Sequence, residues 1–142
     1  MAHTTGRWLV VPALLALTLL VPASPIAGQG DEKKPSLALR ASPSIAFAPA
    51  RIFVRAEIRG GADDFEEFYC AAVEWDWGDG TRSENATDCP PYEAGKSQIR
   101  RQYAVQHTYR QPGSYRITLR LKQGGRVVAA SATAVQIRAG LP

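Results

Sequence analysis

Two histidines, two cysteines and a short acidic run are the residues of this 142-residue chain with the most chemistry to offer. His3 lies in a segment with the layout of a removable export signal, which leaves His107 as the imidazole for general-base or metal chemistry. A serine–histidine–acid site would need an activated nucleophile beside it, and no G-x-S-x-G elbow is present. Asp76 and Asp79 suggest calcium, but their spacing is not that of an EF-hand loop. One histidine and two cysteines that oxidise on export do not make a tetrahedral zinc set. Asp63, Asp64, Glu66 and Glu67 form an acidic cluster interleaved with Phe65, Phe68 and Tyr69. Paired carboxylates hydrolyse glycosides across a cleft, and a loop between two strands does not supply one. The cluster reads as a solvated loop or the rim of a binding surface. No catalytic residue, metal ligand or cofactor is expected.

The elements that would position these residues begin after the N-terminus. Arg7 precedes an almost unbroken apolar run, residues 8–21, which ends in Pro22-Ala23-Ser24-Pro25-Ile26-Ala27-Gly28. A charged start, about 7–15 apolar residues and a small-residue end form a cleaved secretory signal. A membrane anchor needs about 20 apolar residues, and Pro12 and Pro22 cut this run short. The expected organisation is a signal peptide (1–28), a polar linker (29–35) and one domain (36–139). The product is then secreted or periplasmic and not membrane-embedded. Loss of Arg7 leaves 16 basic against 13 acidic side chains. That mild excess comes with no Lys/Arg-dense stretch interleaved with aromatics, so nucleic acid is not an expected partner. Cys70 and Cys89 both lie in the exported part, where conditions oxidise thiols and two cysteines pair in one way. A disulfide is the expectation, with two buried thiols as the alternative. Closing a loop of about twenty residues stabilises by roughly 3 kcal/mol on the chain-entropy account.

Within the domain, apolar residues recur at every second position between proline and glycine breaks. In residues 50–59, Ile52, Val54, Ala56 and Ile58 alternate with Arg51, Phe53, Arg55, Glu57 and Arg59. In residues 114–122, Tyr115, Ile117, Leu119 and Leu121 share one face. Such strands bury one face and wet the other. Residues 126–138 form a further strand, joined to the last by a Gly124-Gly125 hairpin turn. Strands are also expected at 36–42, at 69–77 with Val73, Trp75 and Trp77 on one face, and at 99–109 with Tyr103, Val105, His107 and Tyr109 in phase. Nothing after the signal shows a sustained helical period. Six or seven short strands predict an all-β, immunoglobulin-like two-sheet sandwich. The outward Arg116 and Arg120 would pair with Glu74 across strands, and Asn85-Ala86-Thr87 fits the N-glycosylation pattern.

Two segments are more specific. Trp75-Asp76-Trp77-Gly78-Asp79-Gly80-Thr81 is a strand ending in a tight turn, where the aspartates can accept from turn amides and the glycines supply unusual backbone angles. His107-Thr108-Tyr109-Arg110-Gln111-Pro112-Gly113-Ser114-Tyr115 is a strand, a Pro-Gly corner and a tyrosine opening the next strand. Together they closely resemble the PKD domain family, with Trp77 where that family usually has phenylalanine. The resemblance covers residues 36–138. It implies an immunoglobulin-like sandwich used extracellularly as a spacer or interaction module without catalysis, and a structural role for His107. Tyr115 takes a tyrosine-corner position, yet the residue two further on is Ile117, where antibody domains have cysteine. The cysteines therefore do not pin the sheets; the disulfide is expected to tie a long insertion, residues 82–98, back onto the sandwich. The expected partner is an extracellular or envelope protein, with polysaccharide as the alternative. The expected contact surface is the loop end bearing Phe65, Phe68, Tyr69 and Tyr92. An exposed Trp77 would favour glycan and a buried one protein.

Overall fold

The alternation in residues 50–59 becomes strand β3 (Ala50–Arg59), with every even position buried and every odd one exposed. It is the centre of the first sheet in the computed structural model, which describes residues 33–140. The expected signal peptide and most of the linker lie outside the described residues. Of the linker, Pro35 is buried, and Lys34 forms an ion pair with Glu67 at 2.8 Å.

The remaining strands are β1 (Ser36–Ser42), β2 (Ile45–Phe47), β4 (Ala72–Asp76), β5 (Arg82–Asn85), β6 (Gln102–Tyr109), β7 (Gly113–Gln123) and β8 (Arg126–Arg138), with one 3-10 turn at Glu66–Phe68. They form two sheets, ordered β1-β3-β6 and β2-β8-β7-β4-β5. Neighbours pair antiparallel, except that β2 runs parallel to β8. The all-β two-sheet architecture is the one expected. Gly124 and Gly125 both have positive φ, at 55° and 80°, the backbone a two-residue hairpin loop demands and side chains resist.

The boundaries differ in instructive ways. The Trp strand begins at Ala72 rather than residue 69, because the 3-10 turn and the cysteine connection occupy the preceding residues. The strand expected from residue 99 begins at Gln102: Ile99 is buried ahead of it and donates its amide to the Asp63 carbonyl at 2.7 Å. Two strands have no counterpart in the sequence reading. β2 is three residues long between Pro43 and Pro49, and it carries the chain from the β1 edge of one sheet to the edge of the other. β5 has four exposed residues, Arg82, Ser83, Glu84 and Asn85, so it shows no apolar alternation.

The core lies between the sheets. β3 supplies Ile52, Val54, Ala56 and Ile58; β7 supplies Ile117, Leu119 and Leu121; β8 supplies Val128, Val135 and Ile137. Trp75 on β4 and Trp77 just after it are both buried. On the outer face of the larger sheet, Arg120 reaches Glu74 at 2.8 Å, the cross-strand pair expected. Arg116 instead faces Ala134 across the β7–β8 register.

Because Trp75 is 6% exposed at the middle of this core, Trp75→Ala is expected to destabilise by about 3–5 kcal/mol. Exposed Val127, on β8, is 48% accessible, and its alanine variant should stay within about 0.5 kcal/mol of wild type. Urea unfolding of both variants checks the contrast, and equal losses would show that the core is elsewhere.

Candidate functional site

The motif residues converge where the end of β4 meets β6. Asp76 accepts the Gly78 amide at 3.1 Å. Asp79 uses one oxygen for the Thr81 amide at 3.0 Å and the Thr81 hydroxyl at 2.6 Å. Its other oxygen lies 2.7 Å from His107 Nε2; a carboxylate can only accept, so Nε2 carries the proton. Burial pushes the Asp79 carboxyl up, but the Thr81 hydroxyl, His107 and the Thr81 amide outweigh it and leave it below the usual carboxylate value. Gly78 has φ of 76°, and a Cβ there would sit 2.6 Å from the Arg116 carbonyl oxygen. The turn therefore needs glycine for both backbone angle and close approach. Gly80, at φ 88°, completes it.

Aromatic rings carry this corner across the sandwich. Trp75 stacks on Trp77 with centroids 5.5 Å apart, and Trp77 stacks on His107 at 4.4 Å and 5°. His107 meets Tyr109 edge-on at 4.8 Å, and Tyr109 stacks on Tyr115 at 4.3 Å. The Tyr109 hydroxyl donates to the Trp77 carbonyl at 2.7 Å; burial pushes its phenol well up, and Asp79 and Tyr115 add to this. Trp77 Nε1 donates to Ser83 Oγ at 3.2 Å. Pro112 and Gly113 turn the chain into β7, and a Cβ on Gly113 would press on the Tyr115 ring at 3.0 Å. The Tyr115 hydroxyl donates back to the Gln111 carbonyl at 2.9 Å, closing a tyrosine corner. His107 thus has its ring face against Trp77 and Nε2 on Asp79. This arrangement joins two sheets and leaves the imidazole nitrogen facing the acid engaged.

The expected contact residues gather at the loop end. Cys70 and Cys89 are disulfide-bonded with Cα atoms 6.1 Å apart, bringing residues 86–98 against residues 60–70. The Tyr92 hydroxyl donates to the Asp64 carbonyl at 2.7 Å, and the Gly95 amide to the Asp64 carboxylate at 2.6 Å. The Tyr69 hydroxyl donates to the Pro90 carbonyl at 2.9 Å, with its ring 5.6 Å from that of Tyr92. Phe65 and Phe68 meet edge-to-face at 5.4 Å. Phe65, Tyr69 and Tyr92 are half-buried. Phe68 is 1% exposed, and this corrects its inclusion: it is a core ring, because the 3-10 turn points it between the sheets.

Arg101 is the residue that sequence reasoning missed. Its guanidinium donates to Asp63 at 2.7 Å and to the carbonyls of Gly60 at 3.0 Å and Gly61 at 3.1 Å, and it reaches that of Ile58 at 3.3 Å. It pegs the acidic loop to the start of β6. A lone arginine beside Arg100 carries no pattern that announces this role. Nearby, a groove of about 460 Å³ opens between the β5 and β6 edges, lined by Tyr69, Val73, Trp75, Tyr103 and the disulfide.

Residues 36–136 match the family model of the PKD domain. Among solved structures, the chain is similar to the PKD domain of an M14-like peptidase from Thermoplasmatales archaeon SCGC AB-540-F20. The two are 11% identical with a TM-score of 0.51, over 74% of this chain and 97% of that domain. At this identity the likeness is one of fold. The chain is also similar to the CARDB domain of a Pyrococcus furiosus protein, determined in complex with di-metal ions. There the identity is 12% and the TM-score 0.44, over 75% of this chain and 96% of the other. No curated protein matches the sequence.

Two outcomes follow from the geometry. A carboxylate held low in the folded state stabilises above its unfolded value, and that stability is lost as pH falls through the folded value. Wild-type stability should therefore drop below about pH 4, with Asp79→Asn less stable at neutral pH and flatter in that window. Asp79→Ala should cost about 1–3 kcal/mol at neutral pH; parallel denaturation curves for wild type and Asp79→Asn would refute the bridge. For the loop end, Cys89→Ser should raise hydrogen exchange in residues 86–98 while the β7–β8 amides keep their protection. Uniform loss across both would show that the disulfide holds the whole fold.

Proposed function

The chain belongs to the PKD domain family, and on that premise we propose that it is an exported, non-catalytic module that binds a protein of the cell surface or envelope. PKD domains are generally non-catalytic interaction modules and typically extracellular. The finer reading rests on Trp77, which is 3% exposed. The motif tryptophans are spent inside the sandwich, so they offer no flat platform to a sugar. Tyr69 and Tyr92 tilt at 60° to each other, whereas glycan platforms expose coplanar rings. What the loop end offers is half-buried aromatics among exposed acids, with Phe65, Tyr69 and Tyr92 beside Asp63 and Glu66. Apolar rings mixed with charge suit a protein interface. A disulfide between two loops suits an oxidising compartment, in keeping with a secreted or periplasmic product whose signal ends near residue 28 and whose domain spans 36–139.

Two measurements test this reading. Intact mass of the exported protein should show loss of the first 23 to 29 residues; a chain retaining Met1 or Ala2 would overturn the localisation. Affinity capture from the native envelope should recover a protein that binds again when purified. Phe65→Ala and Tyr92→Ala should each weaken that binding by about 1–2 kcal/mol when measured well below their melting temperatures, which the lost ring packing and the lost Tyr92–Asp64 hydrogen bond lower. Recovery of polysaccharide alone would move the conclusion to glycan. Normal binding by both variants would place the contact surface elsewhere.

A further inference from the structure

The two outer faces of the sandwich handle their charges differently. On the five-stranded sheet, Glu74, Asp76 and Glu84 are matched by Arg120, Lys122 and Arg82. Lys122 and then Arg120 hold the Glu74 carboxyl below its usual value, and Glu74 in turn raises Lys122. These charges satisfy one another. On the three-stranded sheet, β3 turns Arg51, Arg55 and Arg59 to solvent, β1 adds Arg40, and exposed Arg100 lies just before β6. Glu57 is the acid among them, and it is held by Arg59 at 2.6 Å.

Arg40 stands directly opposite Arg55 in the β1–β3 register. Like charges facing each other across strands weaken a sheet, and among the described residues neither arginine has an ion pair to offset this. Small side chains keep the ground between them low: Ala38 faces Glu57, and Ala104 faces Arg55. Arg40, Arg55, Arg59 and Arg100 thereby rim a shallow depression of about 670 Å³. Arg100 is already oriented, with its guanidinium 4.8 Å over the Tyr103 ring and Nε donating to the Gln102 carbonyl at 2.9 Å. Phe53, 53% exposed, stands between Arg51 and Arg55 on the same face.

We propose that this face binds an acidic segment of a partner protein. The planar guanidinium fork matches carboxylates two bonds at a time, and several forks around a depression suit a run of Asp and Glu side chains. Phe53 decides the class of polyanion. An exposed ring flanked by arginines is the make-up of a protein anchor; a sulfated sugar or free phosphate has no apolar group to match it, and a single ring is no platform for stacked sugars. One ring without a continuous apolar face is also too little to seat the domain in a lipid surface. This surface needs neither Phe65 nor Tyr92, so it stands or falls apart from the loop end.

The test measures binding of the exported chain to a short synthetic peptide of glutamates around a central pair of leucines, with heparin and phosphatidylglycerol vesicles as parallel arms. The peptide should bind in low salt and weaken as salt rises. The double variant Arg40→Ser/Arg55→Ser should lose at least tenfold in affinity, and Phe53→Ser several-fold. The double variant Arg116→Ser/Arg138→Ser, which removes equal charge from exposed sites on β7 and β8, and Phe65→Ala should stay within twofold. The single variant Arg40→Ser should also melt higher than wild type, by about 1–4 °C, because it relieves the facing charges. The proposal is overturned if heparin or vesicles bind and the peptide does not, if Arg116→Ser/Arg138→Ser weakens binding as much as Arg40→Ser/Arg55→Ser, or if Arg40→Ser melts lower.

Discussion

Asp79 lies in the turn that ends β4 of one sheet and His107 on β6 of the other, so their 2.7 Å contact spans the sandwich. Its setting makes it strong. The side chains are about a fifth exposed, where a hydrogen bond is stronger than in water and an unmet polar group is costly. The Trp77 ring covers one face of the imidazole, and the Tyr109 hydroxyl takes the Trp77 carbonyl that the turn leaves over. Thr81 uses the remaining carboxylate oxygen. The Asp79 carboxylate, His107 Nε2 and the Trp77 carbonyl thus each have a partner supplied by another motif residue. Replacing any one of them strands its neighbour, so the two motifs act as a set in this chain.

That join relieves the cysteines of structural duty between the sheets. Ile117, at the position where antibody domains place a cysteine, is fully buried as a core residue. Cys70–Cys89 instead restrains the part of the chain with least regular structure: between Asn85 and Gln102 there is no strand. Few backbone bonds hold that stretch, among them the Lys96 and Ser97 amides to the Glu93 carbonyl. The connection needs Cys70 at φ 51°, a left-handed angle that costs a non-glycine residue about 1–2 kcal/mol. Loop-closure stabilisation of roughly 3 kcal/mol exceeds that cost. Arg101 complements the bridge, since it gathers the opposing loop by four oxygens without a covalent bond.

Most of the sandwich was legible because its long strands bury one face, and a half-buried strand writes its period into the sequence. β3 and β7 are the clearest cases, and the Gly124-Gly125 turn named its own hairpin. β5 was illegible for the same reason in reverse: an edge strand with four exposed residues buries nothing, so it leaves no alternation to read. β2 was too short between its prolines to show a period. At the site, the turn bonds of Asp76 and Asp79 were legible, since turn chemistry is local, whereas the Asp79–His107 contact, which joins two distant segments, was not. Phe68 was misjudged because an aromatic beside acids looks like an interface ring until the 3-10 turn shows where it points. Arg101 was invisible, because three of its four partners are backbone carbonyl oxygens about forty residues away, and backbone acceptors look alike in every sequence.

The arginine face bears on a hazard the fold creates. β6 is an eight-residue edge strand without a charge or a proline, and its outer backbone groups have no strand beside them. Such an edge is a template for pairing with another chain. The other edges are blunted locally: β5 is short and charged, β2 is shorter still, and β1 carries Arg40. β6 has no guard of its own, but Arg51 and Arg55 stand outward on its neighbour β3 and Arg100 just ahead of it. Of these, Arg100 is the charge nearest to a second chain pairing through β6, while Arg51 and Arg55 stand one strand further in. An acidic segment approaching the same face meets attraction. The arginines that suit an acidic partner thus stand beside the least guarded edge of the fold, and the facing Arg40 and Arg55 are the cost of holding them there.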